Sequence, residues 1–222
     1  MNLIKSTDSN EGAPLLANRI IDSLVASKKV LWLIAGGSNI PIAVSVMNMI
    51  KKSAVNIDFQ NLTIALTDER YGPVGHPDSN WQQLIDHGFD FNGVRSVPIL
   101  KGRSLEETAI GYDKYIRSIF ESVEVVIAQF GIGADGHIAG ILPHSPAVDC
   151  TDIVTGYVTD NFTRITLTPI ALRKINYAFV FAFGESKLEA MKNIRENKMT
   201  LADEPAGILN TLPEVYIFSG LE

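Results

Sequence analysis

Three polar, glycine-rich segments carry residue types able to do chemistry, and each follows an apolar run. Phe130-Gly131-Ile132-Gly133-Ala134-Asp135-Gly136-His137-Ile138-Ala139-Gly140 sets a carboxylate two residues from an imidazole, with a flexible residue between them. Histidine titrates near neutral pH and is the usual general acid or base. An aspartate at −2 in a glycine-rich loop makes His137 the candidate for proton transfer, with Asp135 as its partner. Ala35-Gly36-Gly37-Ser38-Asn39-Ile40-Pro41 joins a strand-like run to a helical pattern. Two glycines let backbone approach a ligand closely, and the next helix start offers free N–H groups and partial positive charge. Ser38 adds a hydroxyl donor. The segment is neither GxGxxG nor a Walker loop, which disfavours a dinucleotide or ATP-type site. Thr67-Asp68-Glu69-Arg70 makes Arg70 a candidate anion ligand and Asp68 a polar group lining a pocket, with Asp78 or Ser79 placed to cap the following helix.

Two smaller signals point the same way. Lys187 falls in the first turn after a strand and Gly184, where a cation opposes the helix dipole unless an anion is present. Arg164-Ile-Thr-Leu-Thr168 ends another short run. Taken singly, a tight turn, an internal Asp–Arg pair, a structural histidine or a solvated lysine would explain each segment. Together they suit a small anionic, oxygen-rich ligand such as a phosphorylated sugar, with amides and cations for phosphate, carboxylates for hydroxyls and His137 for the proton.

The elements that must position these groups read as an α/β chain. Continuous apolar runs at 30–35, 62–67, 123–130 and 175–183 predict strands covered on both faces, with 215–218 a last strand and 165–168 a shorter one. Helical spacing predicts helices over 13–27, 41–52, 104–120 and 185–196. Ser104 and Glu107 form a capping-box pattern, and Pro41 suits a first helical turn. This alternation predicts a single-domain, doubly wound, mainly parallel sheet with helices on both faces, without repeats or linkers. Ligands bind such sheets beyond the carboxyl ends of the strands, and 71–80 and 140–155 are the long irregular stretches there.

Composition narrows the function class. The 222 residues include 19 basic and 25 acidic ones, a net charge of −6, which excludes a generally basic nucleic-acid binder. With 46% hydrophobic residues the chain is too apolar for disorder. Cys150 is the single cysteine, so no intramolecular disulfide or multi-cysteine zinc site forms. His76, His87 and His144 lack metal-binding spacing, so no metal is expected. No segment is apolar enough for a signal peptide or a membrane span, and a soluble cytoplasmic protein is expected.

AGGSNIP, TDERYGPVGHPDSN, GIGADGHIAGILPHSPAV, RITLT and FGESKLEAM stand in the order and spacing of the 6-phosphogluconolactonases, and the chain resembles that family from about residue 10 onward. The resemblance implies hydrolysis of 6-phospho-D-glucono-1,5-lactone in the oxidative pentose phosphate pathway, without metal or organic cofactor, by a monomer or homodimer. It implies His137 as general base, Asp68 and Asp135 contacting hydroxyls or orienting His137, and Gly36, Gly37, Ser38, Arg70 and Lys187 holding phosphate, with Arg164 the weaker candidate. Two departures stand out: Asn39-Ile40-Pro41 replaces the usual Thr-Pro or Ser-Pro, and Ile138-Ala139-Gly140 replaces Thr-Ala-Ser. Glucosamine-6-phosphate deaminases share Asp-Gly-His-Ile-Ala and are the rival reading. They continue to a Glu-Pro where this chain has Leu142-Pro143, and they carry Asp-Glu-Tyr in place of Asp68-Glu69-Arg70. A non-catalytic sugar-phosphate sensor is a third reading, which leaves His137 beside Asp135 without a use.

Overall fold

Val30–Ile34 (β2), Leu62–Leu66 (β3) and Val125–Phe130 (β6) are strands in which every residue is buried. Uninterrupted burial along a strand requires cover on both faces, and the continuous apolar runs supply it. Trp32 of β2 pairs across both neighbours, with Ile64 of β3 and Ile127 of β6. Four further strands complete the sheet: Asn2–Lys5 (β1), Arg95–Val97 (β5), Tyr177–Phe181 (β9) and Glu214–Ser219 (β10). Their order is β1-β10-β9-β6-β2-β3-β5, and every pairing is parallel. From β2 the chain winds outward through β3 to β5, then returns to the other side of β2 and winds outward through β6, β9 and β10. The structure is a computed structural model and describes residues 1–6, 8, 11–197 and 199–220. Positions 7, 9 and 10 of the amino-terminal segment, and positions 198, 221 and 222, lie outside the described residues.

The helices are Ala13–Val25 (α1), Ile40–Lys52 (α2), Asn80–Asp86 (α3), Leu105–Ser122 (α4), Pro169–Leu172 (α5) and Leu188–Glu196 (α6). α1 and α2 pack on each other and α6 packs on a 3₁₀ segment, Pro205–Thr211. The capping box of α4 forms in full: the Glu107 carboxylate accepts from the Ser104 amide at 3.1 Å, and the Glu107 amide donates to Ser104 Oγ at 3.3 Å. No helix among the described residues is long and apolar enough to cross a membrane.

The run 165–168 does not extend the parallel sheet. Asp68–Arg70 (β4), Val154–Val158 (β7) and Thr163–Leu167 (β8) form a separate antiparallel sheet in the order β4-β8-β7. The chain leaves β3 at Thr67, whose amide still donates to Ile34 O at 3.0 Å, while Thr67 O accepts from the Leu167 amide at 2.9 Å. One residue therefore ties the end of the large sheet to the small one. Asp68 pairs with Thr166 and Arg70 with Arg164 in this ladder.

Between Asp68 and Arg70 in β4 lies Glu69, fully buried. Its carboxylate accepts from the amides of Arg70 (2.8 Å), Asn80 (2.6 Å) and Trp81 (3.1 Å) and from Ser79 Oγ (2.9 Å). Ser79 in turn caps α3 by accepting from the Gln82 amide at 3.1 Å. Burial pushes the Glu69 carboxyl above its ordinary value, and these donors pull it back part of the way. Replacing Glu69 with Ala strands several buried donors at once. The expected loss is on the order of 3 kcal/mol, since each unsatisfied buried group costs about 1–3 kcal/mol. Urea unfolding measures it, and a loss under about 1 kcal/mol contradicts the anchoring role.

Candidate active site

The carboxyl end of β2 turns at Gly36 into a 3₁₀ turn, Gly37–Asn39, and then into α2. Two local features make glycine necessary here. Gly37 has φ +63°, the left-handed region. A Cβ on Gly36 would lie 1.9 Å from Asn80 Oδ1. Asn80 is the first residue of α3, fully buried, and its Nδ2 donates to Asp68 O at 3.0 Å. The glycine loop thus rests on an amide side chain from the segment that Glu69 anchors.

Arg70 and Arg164, opposite each other across β4 and β8, both lie over the Phe162 ring, at 5.1 and 5.6 Å from its centroid. Arg164 also approaches Asp68 at 3.8 Å, and Thr67 Oγ1 donates to Asp68 Oδ1 at 2.9 Å. The Asp–Arg pair expected as a packing device therefore forms with Arg164, and the Arg70 side chain donates to the Asp78 carbonyl, at 3.3 Å. Both arginine Nε atoms are buried without an acceptor. Lys187 ends a 3₁₀ turn, Glu185–Lys187, that precedes α6; Gly184 at φ +102° bends the chain out of β9 into it.

The Asp-Gly-His segment is a closed loop beyond β6. The Gly133 amide donates to His137 O at 2.8 Å and the Gly136 amide to Gly133 O at 3.1 Å, with Gly136 at φ +77°. This brings Asp135 Oδ1 to 2.6 Å from His137 Nδ1. A carboxylate only accepts, so Nδ1 carries the hydrogen, and in the neutral imidazole the free lone pair is then on Nε2. Partial burial raises the Asp135 carboxyl, but the charge of His137 and the bonds from its ring and amide outweigh that and hold it below its ordinary value. Asp135 stays a carboxylate throughout the neutral range. A Cβ on Gly133 would fall 2.0 Å from His137 Nδ1 and 2.3 Å from Asp135 Oδ1, so a larger residue there displaces the Asp135–His137 pair.

Seven of the eight residues expected from sequence line one cleft of about 250 Å³: Gly36, Gly37, Ser38, Asp68, Arg70, His137 and Lys187. The eighth, Asp135, lines a neighbouring hollow and bonds to His137. Asp68 faces the cleft but makes no hydrogen bond to His137. Grooves of about 490 and 460 Å³ run along α6 and between α4 and β7, and neither contains a histidine or a glycine turn. Among the described residues no cluster of His, Cys, Asp and Glu is arranged for a metal.

Three residues that sequence reasoning passed over shape the site. Asn80 and Ala139 line the cleft. Glu204 packs its side chain under Gly136, where a Cβ would meet Glu204 Cγ at 2.3 Å, while the Ala206 amide donates to Gly136 O at 2.9 Å. Burial pushes the Glu204 carboxyl up. The departures that follow His137 also acquire causes. Gly140 abuts the small sheet: a Cβ there would lie 2.8 Å from Thr166 Cβ and 3.0 Å from Asp68 Cβ, so the serine usual in the family does not fit without displacement. Leu142 lies against the core and its amide donates to Tyr157 Oη at 3.3 Å.

Comparison with known proteins identifies the family and the fold. The chain is 28% identical to a 6-phosphogluconolactonase of Pseudomonas aeruginosa over 60% of its own length and 55% of that relative's. It is 25% identical to a glucosamine-6-phosphate deaminase of Enterococcus faecalis over 98% of its own length and 96% of that relative's. The solved 6-phosphogluconolactonase of Thermotoga maritima superposes with a TM-score of 0.78 at 19% identity, covering 100% of this chain and 99% of that one, and so shares the fold. The family described as glucosamine-6-phosphate isomerases/6-phosphogluconolactonase matches residues 7–216, and the chain belongs to that family.

Proposed function

We propose that the protein hydrolyses 6-phospho-D-glucono-1,5-lactone to 6-phosphogluconate, the lactone-opening step of the oxidative pentose phosphate pathway. The observation that carries this reading is the 2.6 Å Asp135–His137 contact at the rim of a cleft that also holds Arg70, Arg164, Lys187 and the Gly36–Ser38 turn. The base and the anion site share one small cavity, as a phosphorylated substrate with a reactive carbonyl requires.

In this reading His137 Nε2 takes a proton from water as the water oxygen attacks C1. Asp135 holds the ring tautomer and stabilises the imidazolium that forms. The tetrahedral intermediate then expels the ring oxygen, and His137 returns the proton to it as the C1–O bond breaks. Arg70, Lys187 and the turn amides hold the phosphate. The protein is net −6, so these local groups, and not long-range attraction, must capture the anion.

The deaminase reading is supported by the full-length match to the Enterococcus faecalis protein. The Leu142 side chain weighs against it. The deaminases place a carboxylate there for ring opening, and here an apolar side chain lies against the core.

Three outcomes are expected. His137→Ala or His137→Asn loses about 10²–10⁴-fold in lactonase rate above spontaneous hydrolysis, the usual contribution of a general base; activity within a factor of about two of the parent removes His137 from that role. Ammonia release from glucosamine 6-phosphate stays negligible, and turnover comparable with the lactone reverses the ranking of the two reactions. Arg70→Ala and Lys187→Ala each weaken kcat/KM roughly 10- to 100-fold, since a charge-assisted bond contributes about 1.5–3 kcal/mol. Neither variant loses rate on a lactone lacking the phosphate. If both hydrolyse the phosphorylated lactone like the parent, the anion site lies elsewhere and Arg164 is tested next.

A further inference from the structure

Ala139 is the cleft-lining residue other than glycine whose backbone is left-handed, at φ +52°. L-residues rarely adopt this conformation, and those that do are held there by their surroundings. The surroundings are explicit. Ala139 and Gly140 are the central residues of a turn closed by Ile138 and Ile141, both buried in the core. The Ile141 amide donates to Ile138 O at 2.9 Å and the Ile138 amide to Ile141 O at 3.4 Å. The Gly140 amide donates to Thr166 Oγ1 at 3.0 Å, Gly140 O accepts from Tyr157 Oη at 2.5 Å, and the Leu142 amide donates to the same hydroxyl. Among the described residues, every amide from Ile138 to Leu142 has an acceptor except that of Ala139.

We infer that the Ala139 N–H is the donor that stabilises the oxyanion formed at the lactone carbonyl. The inference rests on the lactonase reading. It follows from the unpaired amide, its place in the cleft two residues beyond His137, and the bolting of the turn that carries it. The substrate demands two separate donor sets, because the carbonyl oxygen on C1 and the phosphate on C6 are distinct anionic groups, joined through the ring oxygen and C5. The Gly36–Ser38 turn serves the phosphate, and the His137 loop serves the carbonyl. When water oxygen bonds to C1, the C=O π pair moves onto the carbonyl oxygen and the water proton moves to His137. Ala139 N–H then bonds to that negative oxygen. When the carbonyl re-forms, the C1–ring-oxygen bond breaks and the proton passes from His137 to the departing oxygen. A donor fixed by five neighbouring hydrogen bonds needs no rearrangement as the charge appears, the condition for a large electrostatic effect.

The test replaces Ala139 with lactic acid by semisynthesis or suppression, which turns the amide into an ester and substitutes oxygen for N–H at constant side chain. The parent is assayed alongside. The expected result is a kcat lower by about 10²–10³-fold with KM within about two-fold, and an unchanged circular dichroism spectrum. An active parent with an ester variant within about three-fold of it overturns the oxyanion assignment alone. An inert parent overturns the lactonase reading and the assignment with it. A measurement on the unmodified protein stands beside this in case the ester variant does not fold. In ¹⁵N-alanine-labelled protein, the Ala139 cross-peak is identified by its loss in Ala139→Gly. Adding 6-phosphogluconate, whose carboxylate presents oxygens where the oxyanion forms, should move the Ala139 amide proton downfield. An Ala139 signal that stays still while Ala35 next to the glycine turn shifts overturns the assignment.

Discussion

Parallel pairing is the constraint on which everything else depends. When every strand of a sheet runs the same way, all carboxyl ends reach one edge, and whatever polar chemistry follows the strands is gathered there. The four consecutive neighbours β9, β6, β2 and β3 end at the turn to Lys187, at the Asp-Gly-His loop, at the glycine turn and at Thr67. The chain winds away from β2 in both directions, so the crevice opens where its course reverses, between β2 and β6. The glycine turn and the His137 loop flank that point. The apolar runs that force burial on both faces therefore decide where the site lies, even though none of their side chains takes part in chemistry.

The second constraint is the treatment of buried charge. β4 is only three residues long, and each carries a charge. Strand alternation sends Asp68 and Arg70 to the cleft side and Glu69 to the opposite side. A lone buried carboxylate there would be costly, so the chain supplies it with three amides and a hydroxyl from the 70–81 segment. That satisfaction fixes Asn80, and Asn80 fixes the glycine turn. Asp68, on the other side, is matched by Arg164 and Thr67. An acidic protein thus holds a locally basic cleft because its nearest carboxylates are already committed, Asp68 to Arg164 and Asp135 to His137.

This division explains what was legible in the residues. Strands buried on both faces announce themselves as apolar runs, and β2, β3, β6 and β9 lie within the predicted segments; glycine-bracketed polar segments at their ends could be placed at one sheet edge for the same reason. β1 and β5 carry no such signal, because β1 is an exposed edge strand and β5 is a three-residue edge strand of Arg, Ser and Val. The antiparallel β4-β8-β7 sheet was hidden because its register depends on partners distant in sequence, so RITLT read as one more parallel strand. Asn80 and Glu204 were illegible as site residues because their significance lies in tertiary contacts with Gly36 and Gly136. Ala139 was hidden by its own blandness: its role is carried by φ and an unpaired amide, neither of which an alanine in a sequence displays.

The departures that follow His137 gather in one place, and the packing makes them a set. Gly140 brings the His137 loop into direct contact with Thr166 and with the Cβ of Asp68, closer than any side chain at that position allows. Tyr157 from β7 then reaches both Gly140 O and the Leu142 amide. The loop carrying the proposed base is thereby fastened to the small sheet that carries Arg70 and Arg164. A scaffold in which the base and the cations belong to separate loops would have to order both as substrate binds; here the ordering is done in folding. The same fastening commits Leu142 to the core, in the place where a deaminase needs a free carboxylate. Glycine at 140 and leucine at 142 are then two sides of one rigidification, which suits the proposed water activation by His137 and leaves no carboxylate at 142 for opening an amino sugar.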